Sequence, residues 1–499
     1  MINQIIVLGG GSAGLMTALA LRKQLPEVQV RIIRSPEIGV IGVGEGTTQV
    51  FPGFLGRDLE IPAGRVFSEL QPIWKLGIRF LWGPRGEFFY SFSRQFNHRF
   101  KDLPRNNGYY CDEDIQNADL WSSLMQHGKA FARQPDGAPQ FDQHRMVGFH
   151  IENKKLVSFL ERVAVEAGIP ITDATVEEAR LGAAGVESLE LNTGESARAD
   201  LFVDASGFRS ELLGRALAEP FHSFGDTIFC DRAVIGGWAR TDEPIMPYTV
   251  AETMDAGWCW RIEHEHWINR GYVYSSPFIS DEAACEEFLR ANPKVSTEPR
   301  VVRFRAGRYR RMWVGNVVGM GNASGFVEPL EATSLSTIIS QAKGLAALIR
   351  ESFREPGDSM RDLYNRFSAE NWDEVRDFLA VHYAFNTLRD TPFWRHCVAD
   401  TPLNGAADIV EFYRENGPTG VHQTSMVRQL NGFGLEGYLA MLIGQRVPYR
   451  KIQEPSAAER AIWRSHCVQH AAAARTGFTV QETLDWIRGH RKQASPAPA

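Results

Sequence analysis

The spacing of apolar positions changes twice within the first 35 residues. Ile5-Ile6-Val7-Leu8 is a short β-branched run. Leu15 to Leu25 repeats with helical spacing, and Val28-Gln29-Val30-Arg31-Ile32-Ile33 reads as strand again. The glycine-rich stretch Gly9-Gly10-Gly11-Ser12-Ala13-Gly14 separates the first run from the helix. This order predicts a βαβ unit opening a nucleotide-binding fold. Gly9 permits the tight turn, Gly11 lets backbone approach a pyrophosphate, and Gly14 allows close helix–strand packing. The helix N-terminus then faces the phosphates. A glycine turn that binds nothing would look the same in isolation; its place directly after the first strand favours the nucleotide reading.

Two later strands end in similar turns. Ala199 to Val203 leads into Asp204-Ala205-Ser206-Gly207, after a helix predicted over 153–166. Val317-Val318-Gly319-Met320-Gly321 leads into Asn322-Ala323-Ser324-Gly325 and a helix over about 333–351. Three such turns, far apart in sequence, predict one nucleotide-binding domain interrupted by insertions. The segment 216–300 alternates like antiparallel sheet, with Trp258, Trp260 and Ile262 on one face. Beyond residue 351 the pattern is helical and rich in aromatics, and 493–499 reads as a disordered tail.

Composition narrows the class. The 54 Lys+Arg against 60 Asp+Glu give net −6, which argues against a nucleic-acid binder. Six scattered cysteines form no pair with metal-ligand or redox spacing, so no metal is expected and a reducing, cytoplasmic setting is. No apolar run is long enough for a membrane span. At the end of the second strand, where an acid usually takes the ribose hydroxyls, stands Arg34. An arginine there can accept a 2′-phosphate, so NADP enters as an alternative to FAD.

Further motifs, in order along the chain, resemble flavin-dependent halogenases of the tryptophan-halogenase type. After Gly9–Gly14 come Ser35-Pro36-Glu37-Ile38 with Gly42-Val43-Gly44-Glu45, and then Gly257-Trp258-Cys259-Trp260-Arg261-Ile262. Next are Gly321 to Gly325 running into Phe326-Val327-Glu328-Pro329-Leu330-Glu331-Ala332-Thr333, and His382-Tyr383 with Asp390-Thr391-Pro392-Phe393-Trp394. The resemblance runs from Ile5 to about Pro448, and the tryptophan pair with Glu-Pro-Leu-Glu-x-Thr is its most specific part.

The resemblance implies an α/β fold. It consists of an FAD-binding Rossmann-like domain of the flavin-monooxygenase type with an inserted antiparallel sheet and a mostly helical substrate cap. The FAD module spans 1–350, interrupted at about 216–300, and the cap spans 351–492. It also implies a reaction. A separate NAD(P)H-dependent flavin reductase supplies FADH2; O2 and chloride or bromide then yield hypohalous acid. This passes down a tunnel to a lysine beside an aromatic substrate. By motif position the catalytic residues are Lys75 and Glu331. Thr333 and Ser334 match the halide site, and Trp258 and Trp260 the wall between flavin and substrate. For FAD the carried-over residues are Gly10, Ala13, Ser35, Ile38, Ile41, Glu45, Gly46, Val176, Asn322, Ala332 and Leu335. A homodimer is the family expectation.

Read from the residues alone, Lys75 could equally be a surface lysine with a snorkelling stem, Glu331 a first-turn helix acid, and the tryptophan pair a sheet packing face. The chain also departs from the resemblance. Ala332 and Ser334 replace a common serine and glycine, and Glu263 stands where proline is usual. The stretch 417–432 has no Tyr-Tyr or Glu to hold an amino acid's charged groups, and Gln429 replaces a stacking tryptophan. Indole-like arenes are therefore expected over free tryptophan, with Phe89, Tyr90 and Phe92 as ring-stacking candidates. Two alternatives remain at this point: a single-component FAD/NADPH aromatic monooxygenase, and a non-catalytic FAD carrier.

Overall fold

The computed structural model describes residues 1–39, 44–93, 102–105, 107–141, 147–419, 432–450 and 454–494. Ile41, Gln429 and residues 495–499 lie outside them. The last helix, Val480–Ala494, runs two residues into the expected tail. The chain divides into two compact units. One holds Met1–Pro72, Ile151–Asp231 and Arg303–Arg376; the other holds Ile73–His150, Arg232–Val302 and Asp377–Ala499.

The first unit is built on a sheet with strands in the order Trp313–Val314, Val317–Gly319, Leu201–Asp204, Gln4–Leu8, Gln29–Arg34, Ile171–Asp173. Its pairs are parallel except at the Trp313–Val314 edge. Strands covered on both faces read as continuous apolar runs, as Ile5 to Leu8 and Leu201 to Val203 do. Helix Ser12–Gln24 packs against Ser334–Glu351 and Asn153–Glu166. The three turns expected from sequence therefore leave the ends of three adjacent parallel strands, where an α/β sheet places its ligands.

Two glycines make this edge possible. Gly9 has φ +126°, and a Cβ there would lie 2.3 Å from the Ala205 carbonyl oxygen of the neighbouring turn. A Cβ on Gly14 would lie 1.9 Å from the Gly9 oxygen. Gly11 has open space around it, with nothing within 4 Å of a Cβ.

In the second unit, strands Arg232–Ala239, Trp267–Tyr274, Gly257–Glu263, Tyr248–Met254, Gly77–Leu81 and Phe88–Ser91 lie side by side. From Arg232 to Tyr274 the neighbouring strands pair antiparallel. The boundary differs: Phe221–Ser223 pairs with Gly307–Tyr309 in the first unit, and Ile73–His150 belongs with the inserted sheet. The link is the parallel pairing of Gly77–Leu81 with Tyr248–Met254. A parallel pair between strands so far apart leaves no hairpin signal in the sequence. The expected break at 351 also moves, because Asp358–Ala384 is one helix.

The later helices start at clear caps. Thr391 accepts from Trp394 N–H with Pro392 in the first turn. Ser456 and Glu459 form a capping box. Two buried indoles reach backbone carbonyls: Trp82 donates to that of His382 at 2.9 Å and Trp394 to that of Met254 at 2.7 Å.

The glycine geometry predicts opposite outcomes for one substitution at two positions. Gly14→Ala is expected to cost about 1–3 kcal/mol, because backbone must move to admit the methyl. Gly11→Ala is expected to stay within about 0.5 kcal/mol of wild type. Denaturant unfolding of both variants checks this, and equal losses would refute it.

Candidate active site

Some of the cofactor candidates lie at the glycine edge of the first sheet. Ala13 approaches the third turn, since a Cβ on Gly321 would sit 3.0 Å from the Ala13 Cβ. Ser35 Oγ lies 2.8 Å from Thr175 Oγ1, which brings the residue before Val176 to the end of the second strand. The Val176 side chain itself packs into the core with Leu189 and Phe202. Ile38 is exposed, Asn322 and Gly46 are half-buried, and Leu335 is buried. One Glu45 carboxylate oxygen is buried with no hydrogen-bond partner among the described residues, and burial pushes this carboxyl up to about 7. Open backbone at Gly11 and this orphaned oxygen are what a dinucleotide site presents before its ligand binds. The residues present therefore fit FAD.

Arg34 has other partners. Its guanidinium pairs with Glu161 at 2.8 Å and Asp173 at 2.7 Å, and its stem lies over Gly10. Those carboxylates raise its pKa. With both already on it, this arginine is not a vacant receptor for a 2′-phosphate. Asp204, at the second turn, is likewise committed. It accepts from the N–H groups of Ser206, Leu212 and Leu213 and so organises its own loop.

The Glu331 segment forms a tight entry to helix Ser334–Glu351. Pro329–Glu331 is one 3₁₀ turn, with Glu331 2% exposed. Ala332 follows at φ 55°, a left-handed conformation that disfavours a Cβ. Thr333 is buried at the cap position and its side chain does not cap the helix, while Ser334 is half-buried. Helix N–H groups in such a place suit an anion.

In the second unit, Lys75 ends the short strand Ile73–Lys75, which pairs antiparallel with Gly148–Glu152. It has no exposed surface, and its Nζ lies 5.1 Å from the centre of the Phe92 ring. The snorkelling alternative is thus replaced by a buried cation resting on an aromatic face. Tyr90 sets its ring edge-on to Phe92 at 6.3 Å. Phe89 points to the other strand face and packs on Tyr248 at 5.6 Å. The structure brings Phe92 to Lys75 and Tyr90 to Phe92, while Phe89 packs on Tyr248.

Trp258 and Trp260 are buried neighbours with ring centres 6.1 Å apart. Across the strand pair, Trp260 faces Gly271, where a Cβ would strike its ring at 2.0 Å. The missing side chain on Gly271 sets how Trp260 lies.

Two residues with supporting roles escaped sequence reading. Gln341 is fully buried on helix Ser334–Glu351. It accepts from Gly321 N–H at 3.0 Å and donates to Ser324 Oγ at 2.9 Å, tying the third turn to the helix that begins at the halide candidates. Its signal was available: a polar residue in the stripe of Leu335, Ile338, Ala342 and Leu345. The other, His150, carries no sequence signal beyond one histidine at a strand position.

Known proteins share this arrangement. The tryptophan halogenase family model matches residues 4–460. Tryptophan 6-halogenase ThaL of Streptomyces albogriseolus is 32% identical over 455 residues, covering 85% of this chain and 84% of the relative. The crystal structure of MibH, described as a lathipeptide tryptophan 5-halogenase, superposes with TM-score 0.89 at 34% identity, covering 99% of this chain and 96% of that one. BrvH, a flavin-dependent halogenase from Brevundimonas sp. BAL3, gives 0.84 at 27% identity, covering 98% and 99%. This chain belongs to the tryptophan halogenase family of flavin-dependent halogenase enzymes.

Proposed function

We propose that this chain is an FADH2-dependent halogenase that directs hypohalous acid to Lys75 and, with Glu331 as its second catalytic group, halogenates an electron-rich arene of the indole type. The observation that carries the reading is the full burial of the Lys75 side chain, with its Nζ 5.1 Å from the centre of the Phe92 ring. Reduced flavin, made by a separate reductase, supplies the hypohalous acid from O2 and halide. Gly9, Gly10, Gly11, Ala13, Gly14, Ser35, Glu45, Gly46 and Asn322 hold the cofactor, with Thr333 and Ser334 at the halide. Trp258 and Trp260 keep the arene off the flavin.

Lys75 donates its proton to the oxygen of hypohalous acid while the halogen passes to a ring carbon, and water leaves. Glu331 takes the proton from that carbon and restores aromaticity. Exclusion of bulk water strengthens both contacts. The indole preference rests on the stretch 417–432, which lacks groups for a free amino acid's charges. A tryptophan side chain within a peptide meets the same condition, and the resemblance to MibH favours including it. The monooxygenase alternative loses its one support, because Arg34 is held by Glu161 and Asp173.

Incubation with FAD, a flavin reductase, NADH and bromide should brominate indole or a tryptophan-containing peptide, seen as an isotope doublet by mass spectrometry. Hydroxylated product, or NADPH consumption without the reductase, would overturn the reading. Lys75→Ala should lower product formation by at least about 100-fold while hypobromite still forms and escapes to a scavenger. Gly11→Val should keep the fold and weaken flavin binding about tenfold, read by fluorescence titration. Unchanged affinity would remove the glycine loop from the cofactor site.

A further inference from the structure

His150 lies on the same face of its strand pair as Lys75. The register sets His150 against Ile73 and Gly148 against Lys75. Gly148 presents no side chain, so His150 is the diagonal neighbour on that face, within reach of a long side chain. The histidine is fully buried.

Its ring is held from two further strands. Nδ1 lies 3.3 Å from the backbone N of Glu263, and Nε2 lies 2.7 Å from Thr249 Oγ1. A backbone N–H can only donate, so Nδ1 must accept. The neutral ring then carries its proton on Nε2 and donates to Thr249. An imidazolium would point a second donor at the Glu263 N–H. Geometry alone therefore selects one uncharged tautomer.

The surrounding charges agree. Lys75, on the same strand pair, is the largest charge acting on the ring, followed by His264 and Arg240. Glu263 is paired with both Arg240 and Arg261. Burial first, then Lys75, holds the His150 pKa well below its usual value.

We propose that His150 is a positioning residue: locked neutral between Glu263 and Thr249, it fastens the Lys75 strand to the strand that carries Trp258 and Trp260 and keeps its own ring out of proton exchange with Lys75. Strand Gly257–Glu263 carries both tryptophans and ends at the Glu263 N–H. One imidazole thus sets the register between the wall and the lysine. With both nitrogens engaged, the ring cannot take the lysine's proton. The catalytic consequence rests on the halogenase reading; the tautomer and its coupling to Lys75 do not.

The first test needs no turnover. In ¹⁵N-histidine NMR of the full chain, the signal assigned by its loss in His150→Gln should show the neutral Nε2–H tautomer, unchanged between about pH 6 and 8. Lys75→Met should raise its titration toward the ordinary histidine range. An imidazolium near neutral pH in wild type, or no response to Lys75→Met, would overturn the proposal. The second test divides the oxidant between halogenated arene and a freely diffusing scavenger. His150→Leu should shift that ratio about tenfold toward the scavenger, with the arene KM unchanged, and His150→Gln should recover part of it. Thr249→Val, which keeps the side-chain volume, should shift it about threefold and decides the matter if His150→Leu does not fold. Wild-type partition in a folded variant would refute the positioning role. Wild type giving neither product nor hypohalite would refute the halogenase reading instead, with the NMR result still deciding the tautomer.

Discussion

Close approach of main chain to main chain, nearer than a Cβ allows, is the constraint on which the first unit rests. The Ala205 carbonyl presses on Gly9, and the Gly9 carbonyl presses on Gly14. These contacts draw three strand exits to one edge and start helix Ser12–Gln24 beside them. Gly11 is the exception, because no described atom lies within 4 Å of a Cβ placed there. Gln341 then locks the third turn through Gly321 and Ser324. Everything proposed to touch the cofactor in this unit depends on that edge staying narrow.

The second unit is organised by buried charge. Moving an ammonium or a carboxylate out of water costs several kcal/mol even after relaxation, so each such group must be met by neighbours. Glu263 is met by Arg240 and Arg261, with its backbone N–H on His150. Lys75 is set over Phe92. Such pairs contribute little net stability; their value here is that they hold a cation in fixed register with the strand of Trp258 and Trp260.

Legibility followed the range of the interactions. The βαβ opening, the glycine roles and the helix after Thr333 were readable because period and turn chemistry are local. The division into units was less so. Ile73–His150 joins the inserted sheet through a parallel pairing with Tyr248–Met254, and no local pattern announces it. Among the ring candidates, alternation separated Phe89 from Tyr90 only once the strand Phe88–Ser91 was known to lie between Gly77–Leu81 and the unit's helices. Most tryptophans turned out to be packing residues, such as Trp463 lying over Gly108.

By itself, then, the sequence determined a nucleotide-type sheet and the family, since these live in short motifs whose chemistry survives without coordinates. Tertiary structure decided what each charged group already has for a partner. Arg34 reads as a phosphate receptor until Glu161 and Asp173 are seen on it. Lys75 reads as a surface lysine until it is found buried on Phe92. His150 reads as nothing until the Glu263 N–H fixes its tautomer. The physical reason is common to all three. Protonation and availability depend on desolvation and on neighbours within a few ångströms, and those neighbours come from strands and helices remote in the chain.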